Sequence, residues 1–182
     1  MTEPLYRRLL GAGFDRLPKA VRELHDFTGV TIWDGRADVE RGRSLAARIA
    51  AALTSLPPEG DDQPLRVTFH AIGEREIWGR QFGSALFRSV QYASGGLLYE
   101  RVGPTTFVFT PLASEEGLAL RLDGFRVLGV PLPRALHPVV RTFEREQGGR
   151  YHFEVEAHLP LFGLLIRYAG WLERAAITRS GT

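Results

Sequence analysis

The chain has no cysteine in its 182 residues, which excludes disulfide scaffolds, thiolate metal centres and cysteine nucleophiles and suits a reducing compartment. Only one of its 23 basic residues is a lysine, Lys19, and the net charge is +2. The basic character is therefore an arginine excess. Those arginines are scattered from Arg7 to Arg179 with no stripe of interleaved aromatics, so the electrostatic footprint of a nucleic-acid binder is missing. No apolar run approaches the ~20 residues of a membrane-spanning helix; the longest, LPLFGLLI, is far shorter. The opening MTEPLYRRLL has no apolar core and no small-residue cleavage site, so no signal peptide is read there and a cytoplasmic location is expected.

Catalytic signatures are also missing. There is no G-x-S-x-G elbow, no Walker loop, no H-E-x-x-H and no strand–G-x-G-x-x-G–helix unit. DGRADVE has the wrong ligand spacing for a calcium loop. No catalytic residue, metal ligand or cofactor is assigned.

What is there is a globular composition, 44 % hydrophobic and 24 % charged. A single domain over residues 1–182 follows, large enough to bury roughly 70 % of its unfolded surface. Residues 1–60 read as mostly helical. Leu17, Val21, Leu24 and His25 share a face after Pro18, with His25 partly in the core at a fraying helix end. GVTIWDGRADVER reads as one bent strand or two short ones. In RSLAARIAAALTSL, Leu45, Ile49, Leu53 and Leu56 make a helical stripe expected to face the core, ended by Pro57-Pro58.

From Pro64 to about residue 173 the pattern is an antiparallel meander, with turns at Gly73-Glu74, Ser94-Gly95, Gly103-Pro104, Ser114–Gly117 and Gly148-Gly149. Side-chain alternation then fixes the faces. The first hairpin pairs Phe69 with Trp78, Val67 with Arg80 and Leu65 with Phe82, a core face holding one arginine. The middle strands put Phe87, Ser89, Gln91, Leu98, Glu100, Val102, Phe107 and Phe109 on one side. In the last hairpin Glu144 lies opposite Phe153. On the other face His152, Glu154, Glu156 and His158 alternate. A metal could bridge alternate residues of that kind, but Arg141 opposite Glu156 and Arg145 diagonal to Glu154 make cross-strand ion pairs the preferred reading.

The segment FRVLGVPLPRALHP, residues 125–138, leaves the sheet. Pro131 and Pro133 deny two ladder donors. Leu128, Val130, Leu132 and Leu136 then cross an open end of the sheet, with Arg126, Arg134 and His137 around them. Core closure, the rim of an apolar cavity, and a docking surface for a partner are all compatible with it.

Together these features predict an α+β domain, a curved antiparallel β-meander in an open half-barrel like that of lipid carriers, with N-terminal helices packed on the sheet. A closed lipocalin-like barrel is the second version. The first functional reading is a non-catalytic binding module for a small hydrophobic or amphipathic molecule. Its expected lining is Trp78, Phe82, Tyr99, Glu100, Arg101, Phe107, Arg126 and His137. The second is an accessory domain docking an oxidoreductase-like partner through VLGVPLPRAL. The third is a small acid–base enzyme using Glu100, or His137 with an arginine. Glu100, opposite Phe107, is the most notable acid.

LYRRLLGAGFDRLPKAVRELHD, DGRADVERGR, FRVLGVPLPRALHP and GRYHFEVEAHLPLFGLLIRYAGWLE, in that order, resemble a bacterial family named domain of unknown function 4166. The resemblance spans residues 4 to 173. It implies that relatives stand alone or are appended to NAD(P)-binding saccharopine-dehydrogenase-like or epimerase-like domains, hence an accessory role for some. It assigns no activity to any residue.

Overall fold

A computed structural model describes residues 3–176. Helix α1 (Leu5–Leu10), a short 3-10 helix (Gly11–Arg16) and α2 (Lys19–His25) come first. Strand β1 (Val30–Arg41) and helix α3 (Leu45–Leu53) follow. The meander then runs through β2 (Gly60–Ile72), β3 (Arg75–Phe82), β4 (Ala85–Ser94), β5 (Leu97–Val102), β6 (Thr105–Ala113) and β7 (Leu118–Val127). A two-residue strand β8 (Val130–Pro131) precedes β9 (Val139–Gln147), β10 (Arg150–Leu159) and β11 (Gly163–Arg174).

The half-barrel expectation is corrected here: the sheet is a closed barrel of ten antiparallel strands, with β8 a short hairpin on β7. Two features of the sequence close it. GVTIWDGRADVER forms one twelve-residue strand, β1, which pairs with both β2 and β11 and so joins the first and last parts of the chain. Strand β7 pairs with β6 on one side and β9 on the other. Full closure removes the unpaired edges that an open sheet would expose.

The β7–β9 seam is short. Its register covers Leu118–Glu144 and Ala119–Phe143, after which the Leu120 amide donates to Thr142 Oγ1 at 3.0 Å. Gly117 makes this approach possible, since a Cβ there would sit 2.0 Å from the Glu144 carbonyl oxygen. No β7–β9 pair follows beyond Thr142; farther along β7, on the edge that β6 does not take, β8 pairs with Arg126 and Val127, and the Leu132 amide donates to the Phe125 carbonyl at 2.9 Å.

The other hairpins take the predicted registers, including Phe69–Trp78, Val67–Arg80, Leu65–Phe82 and Glu144–Phe153. On the outer face Arg145 pairs with Glu154 at 2.9 Å, and Glu156 is met by Arg141, His158 and Arg167.

Strand direction gives the barrel two unlike ends. At one, the floor, lie the turns at Gly73, Gly95, Ser114–Gly117 and Gly148, and α1 and α2 pack across them. Tyr6, Phe14, Leu17, Val21 and Leu24 are buried there as a plug against the interior of the barrel. At the other, the mouth, lie α3, residues 128–138 and the β10–β11 turn.

Helix α3 is turned over relative to the sequence expectation. Ala47 and Ala51 are buried, whereas Leu45, Ile49 and Leu53 are 71 %, 53 % and 64 % exposed; Leu56, beyond the helix, packs on the core. The small face allows close approach: Gly42 bonds to Leu165 through its amide at 3.0 Å, and the α3 end touches the Gly103 turn. Larger side chains would hold the helix off the barrel.

Candidate ligand-binding site

Inward-facing side chains do not fill the barrel. A cavity of about 160 Å³ remains, reaching from Tyr6 at the plug to Ala50, Thr54 and Leu56 near the mouth. Its wall changes character along this axis. The floor is polar: the Tyr6 hydroxyl donates to Gln91 Oε1 at 3.0 Å, and Gln91 Nε2 donates to Glu100 Oε1 at 3.1 Å. Arg80 donates to Ser89 Oγ at 3.0 Å and meets Glu100 at 3.5 Å. The Arg80 guanidinium also lies 4.9 Å from the Trp78 ring and 5.3 Å from Phe87, both within cation–π range. Tyr168 completes the ring, with burial pushing its hydroxyl up to about 12.

Above this floor the lining is apolar: Val102, Phe107, Phe125, Val140, Ala157, Leu159 and Leu165. Leu120 and Phe125 come from β7, Val140 and Thr142 from β9, so the upper cavity borders the gap where these strands part. A second void of about 50 Å³ lies against the opposite wall and shares Trp78, Arg80, Glu144, Val155 and Tyr168 with the first.

Beneath the floor, His25 donates through Nε2 to Glu144 Oε2 at 2.6 Å and stacks on Tyr6, ring centroids 3.9 Å apart. His25 is wholly buried. It is a strut between plug and wall, not the frayed end that its position as the last residue of α2 suggests. Glu76, also buried, accepts from Trp78 Nε1 at 2.9 Å, and burial raises its carboxyl above 4.5.

Of the residues expected to line a site, the barrel brings Trp78, Glu100 and Phe107 together on one cavity. Phe82 is buried beside it, edge-on to Tyr168. Tyr99, Arg101 and Arg126 are on the outside. Tyr99 stacks on Tyr92 at 5.1 Å, Arg126 lies over Tyr99, and Arg101 is exposed. Alternation forces this: Glu100 points inward, so its neighbours in sequence point outward. His137 does not line the cavity; it bonds through Nε2 to the Leu132 carbonyl at 2.9 Å and lies edge-on to Phe125. It clasps the crossing segment onto a cavity residue.

Sequence reasoning missed Arg80, Gln91, Tyr168, Tyr6 and Glu144. For Arg80 and Glu144 a signal existed. Each is a charged residue on a face whose hairpin register is otherwise apolar, and a closed barrel turns such a residue inward. Glu100 takes its arginine, Arg80, from β3.

Among the described residues, no cluster of three or more histidine and acidic side chains is placed to hold a metal ion, and no helix is long and apolar enough to cross a membrane. A search of curated proteins finds no match. The family model for a domain of unknown function, DUF4166, matches residues 17–172, and the chain belongs to that family.

Proposed function

We propose that the barrel binds a small amphipathic molecule, polar group down on the Arg80–Glu100–Gln91–Tyr168 floor and apolar body among Phe107, Phe125, Val140 and Leu159. The observation that carries this reading is a cavity with a polar floor and an apolar neck beside the β7–β9 gap. The floor groups already satisfy one another and so present a fixed polar surface, while the apolar neck left empty forfeits dispersion contacts.

Size narrows the ligand. About 160 Å³ is close to the roughly 150 Å³ of an apolar cavity that takes up benzene, and below the roughly 300–1,000 Å³ of drug-sized sites. A ring or short chain fits; a two-chain lipid does not. Access runs through the β7–β9 gap, under residues 128–138.

Octanoate and octanol, with the same tail and different heads, are suitable probes for native mass spectrometry. One bound octanoate, with octanol weaker by about tenfold or more because it lacks a charge for Arg80, supports the reading. Ala157→Phe, which fills the neck, should abolish binding of both. Undiminished binding in Ala157→Phe, or none to the native protein, would contradict it.

The enzyme reading takes Glu100, or His137 with an arginine, as its acid–base pair on a ligand in the cavity. Glu100 instead bonds to Gln91 and Arg80 inside the barrel, and His137, which does not line the cavity, bonds to a carbonyl.

A further inference from the structure

We infer that the mouth of the barrel is a docking face for an anionic lipid bilayer. Most of the large apolar side chains that stand out of this molecule gather there, while Val30, Ile32, Ile72 and Leu112 are exposed toward the floor. Leu45, Ile49 and Leu53 come from α3, Leu128, Val130, Leu136 and Val139 from the crossing segment and its end, and Leu161 and Phe162 from the β10–β11 turn.

These segments form one continuous end. The tip of α3 meets Gly103, the next residue's carbonyl (Pro104) accepts from the Leu128 amide, and Gly42 before α3 bonds to Leu165 after the β10–β11 turn.

Two of the leucines are placed against backbone preference. Leu128 and Leu161 have φ of 51° and 65°, the left-handed region that non-glycine residues other than Asn and Asp seldom occupy. Leu128 is 80 % exposed and Leu161 fully so. Each takes up a strained conformation to hold an apolar side chain out at the tip of a turn, where Gly or Asn would be at ease. The Leu128 amide bonds to Pro104, but at these exposures neither leucine side chain packs against the fold. Such outliers point to function outside the fold.

Charge identifies the occupant. Arg41, Arg43, Arg48, Arg126 and Arg134 belong to this end, and among the described residues none stands in an ion pair. Of the acids nearby, Glu59 shares a surface depression with Arg41, Arg43 and Arg48, whereas Glu40, Asp61 and Asp62 sit on the β1–β2 flank, where Asp62 is held by Arg36. Projecting leucine tips ringed by unpaired arginines suit a fluid, anionic surface, which accepts them without a matching shape. This inference does not rest on the cavity being a ligand site, because docking involves only outer residues.

The test is co-sedimentation with vesicles of equal parts phosphatidylcholine and phosphatidylglycerol, beside phosphatidylcholine alone. The native protein should sediment with the anionic vesicles and be released by salt. Leu128→Asn with Leu161→Asn relieves the backbone, so the variant should melt no lower than the native protein while losing binding by about tenfold or more. Arg43→Gln and Arg48→Gln should each weaken binding by about fivefold. Ile72→Asn, at the floor, should leave it unchanged. Failure to sediment, equal binding by the double Asn variant, or a concentration-dependent dimer that buries the mouth would each overturn the inference.

Discussion

The two ends of this barrel are built from similar residues used in opposite ways. At the floor, Arg7 pairs with Asp15 and Asp26, and Arg8 with Glu74, while Arg16, Arg22 and Arg75 stand in no ion pair among the described residues. Leucines and aromatics of α1 and α2 are buried, and His25 bonds to Glu144 through Nε2, while its Nδ1 is buried without a partner among the described residues. At the mouth, arginines stand unpaired and leucines face outward on α3 and on two strained turns. The floor is organised for stability and the mouth for something the folded chain does not itself supply. Proteins keep such unsatisfied surface where it serves binding.

The largest expected effect breaks the floor. His25→Ala leaves Glu144 buried without its partner and opens space beneath Tyr6, which should cost about 3–5 kcal/mol in a denaturant titration. A loss under about 1 kcal/mol would mean that the plug is not a structural element.

Helix α3 sharpens the contrast next. Ala51→Leu thickens the face against the barrel and should destabilise by about 1–3 kcal/mol, whereas Ile49→Ser on the exposed face should change stability by no more than about 0.5 kcal/mol. A purely amphipathic reading of the sequence predicts the reverse, so thermal melts of the two variants decide the orientation of the helix.

The smallest effect concerns Glu76. Burial raises its folded-state carboxyl above the ordinary 4.5, so the folded state holds that proton more tightly than the unfolded chain. The resulting stabilisation is complete below pH 4.5 and is lost as pH rises through the folded value. Glu76→Gln keeps an acceptor for Trp78 Nε1 and removes the titration. The variant should gain on the native protein from acid to neutral pH, and unfolding titrations at both would show the gap open. A constant gap would place the carboxyl in water.

The comparison also shows which parts of the molecule were legible from sequence. Hairpin registers were, because glycine turns fix pairing and alternation fixes faces: Phe69–Trp78 and Glu144–Phe153 follow directly. The inward set Phe87, Ser89, Gln91, Leu98 and Glu100 was readable for the same reason. Closure of the ring was not, because the seam between β7 and β9 rests on two residue pairs and one threonine hydroxyl, with no local signature. Without closure, the inside cannot be told from the outside, and Tyr99, Arg101 and Arg126 could be listed beside Glu100. Helix α3 misled for another reason. Its leucine stripe has core periodicity, and periodicity says that two faces differ, not which one is buried.

The central claim is that the cavity takes an amphipathic molecule head-first through the gap between β7 and β9. Isotope-edited NMR with carbon-13-labelled octanoate tests it most directly. The account predicts contacts from the octanoate chain to the rings of Phe107 and Phe125 and to Val140, with the carboxylate end shifting the Arg80 side-chain resonances. Contacts confined to the outer face of α3, or an inverted molecule with its methyl end at Arg80, would contradict it.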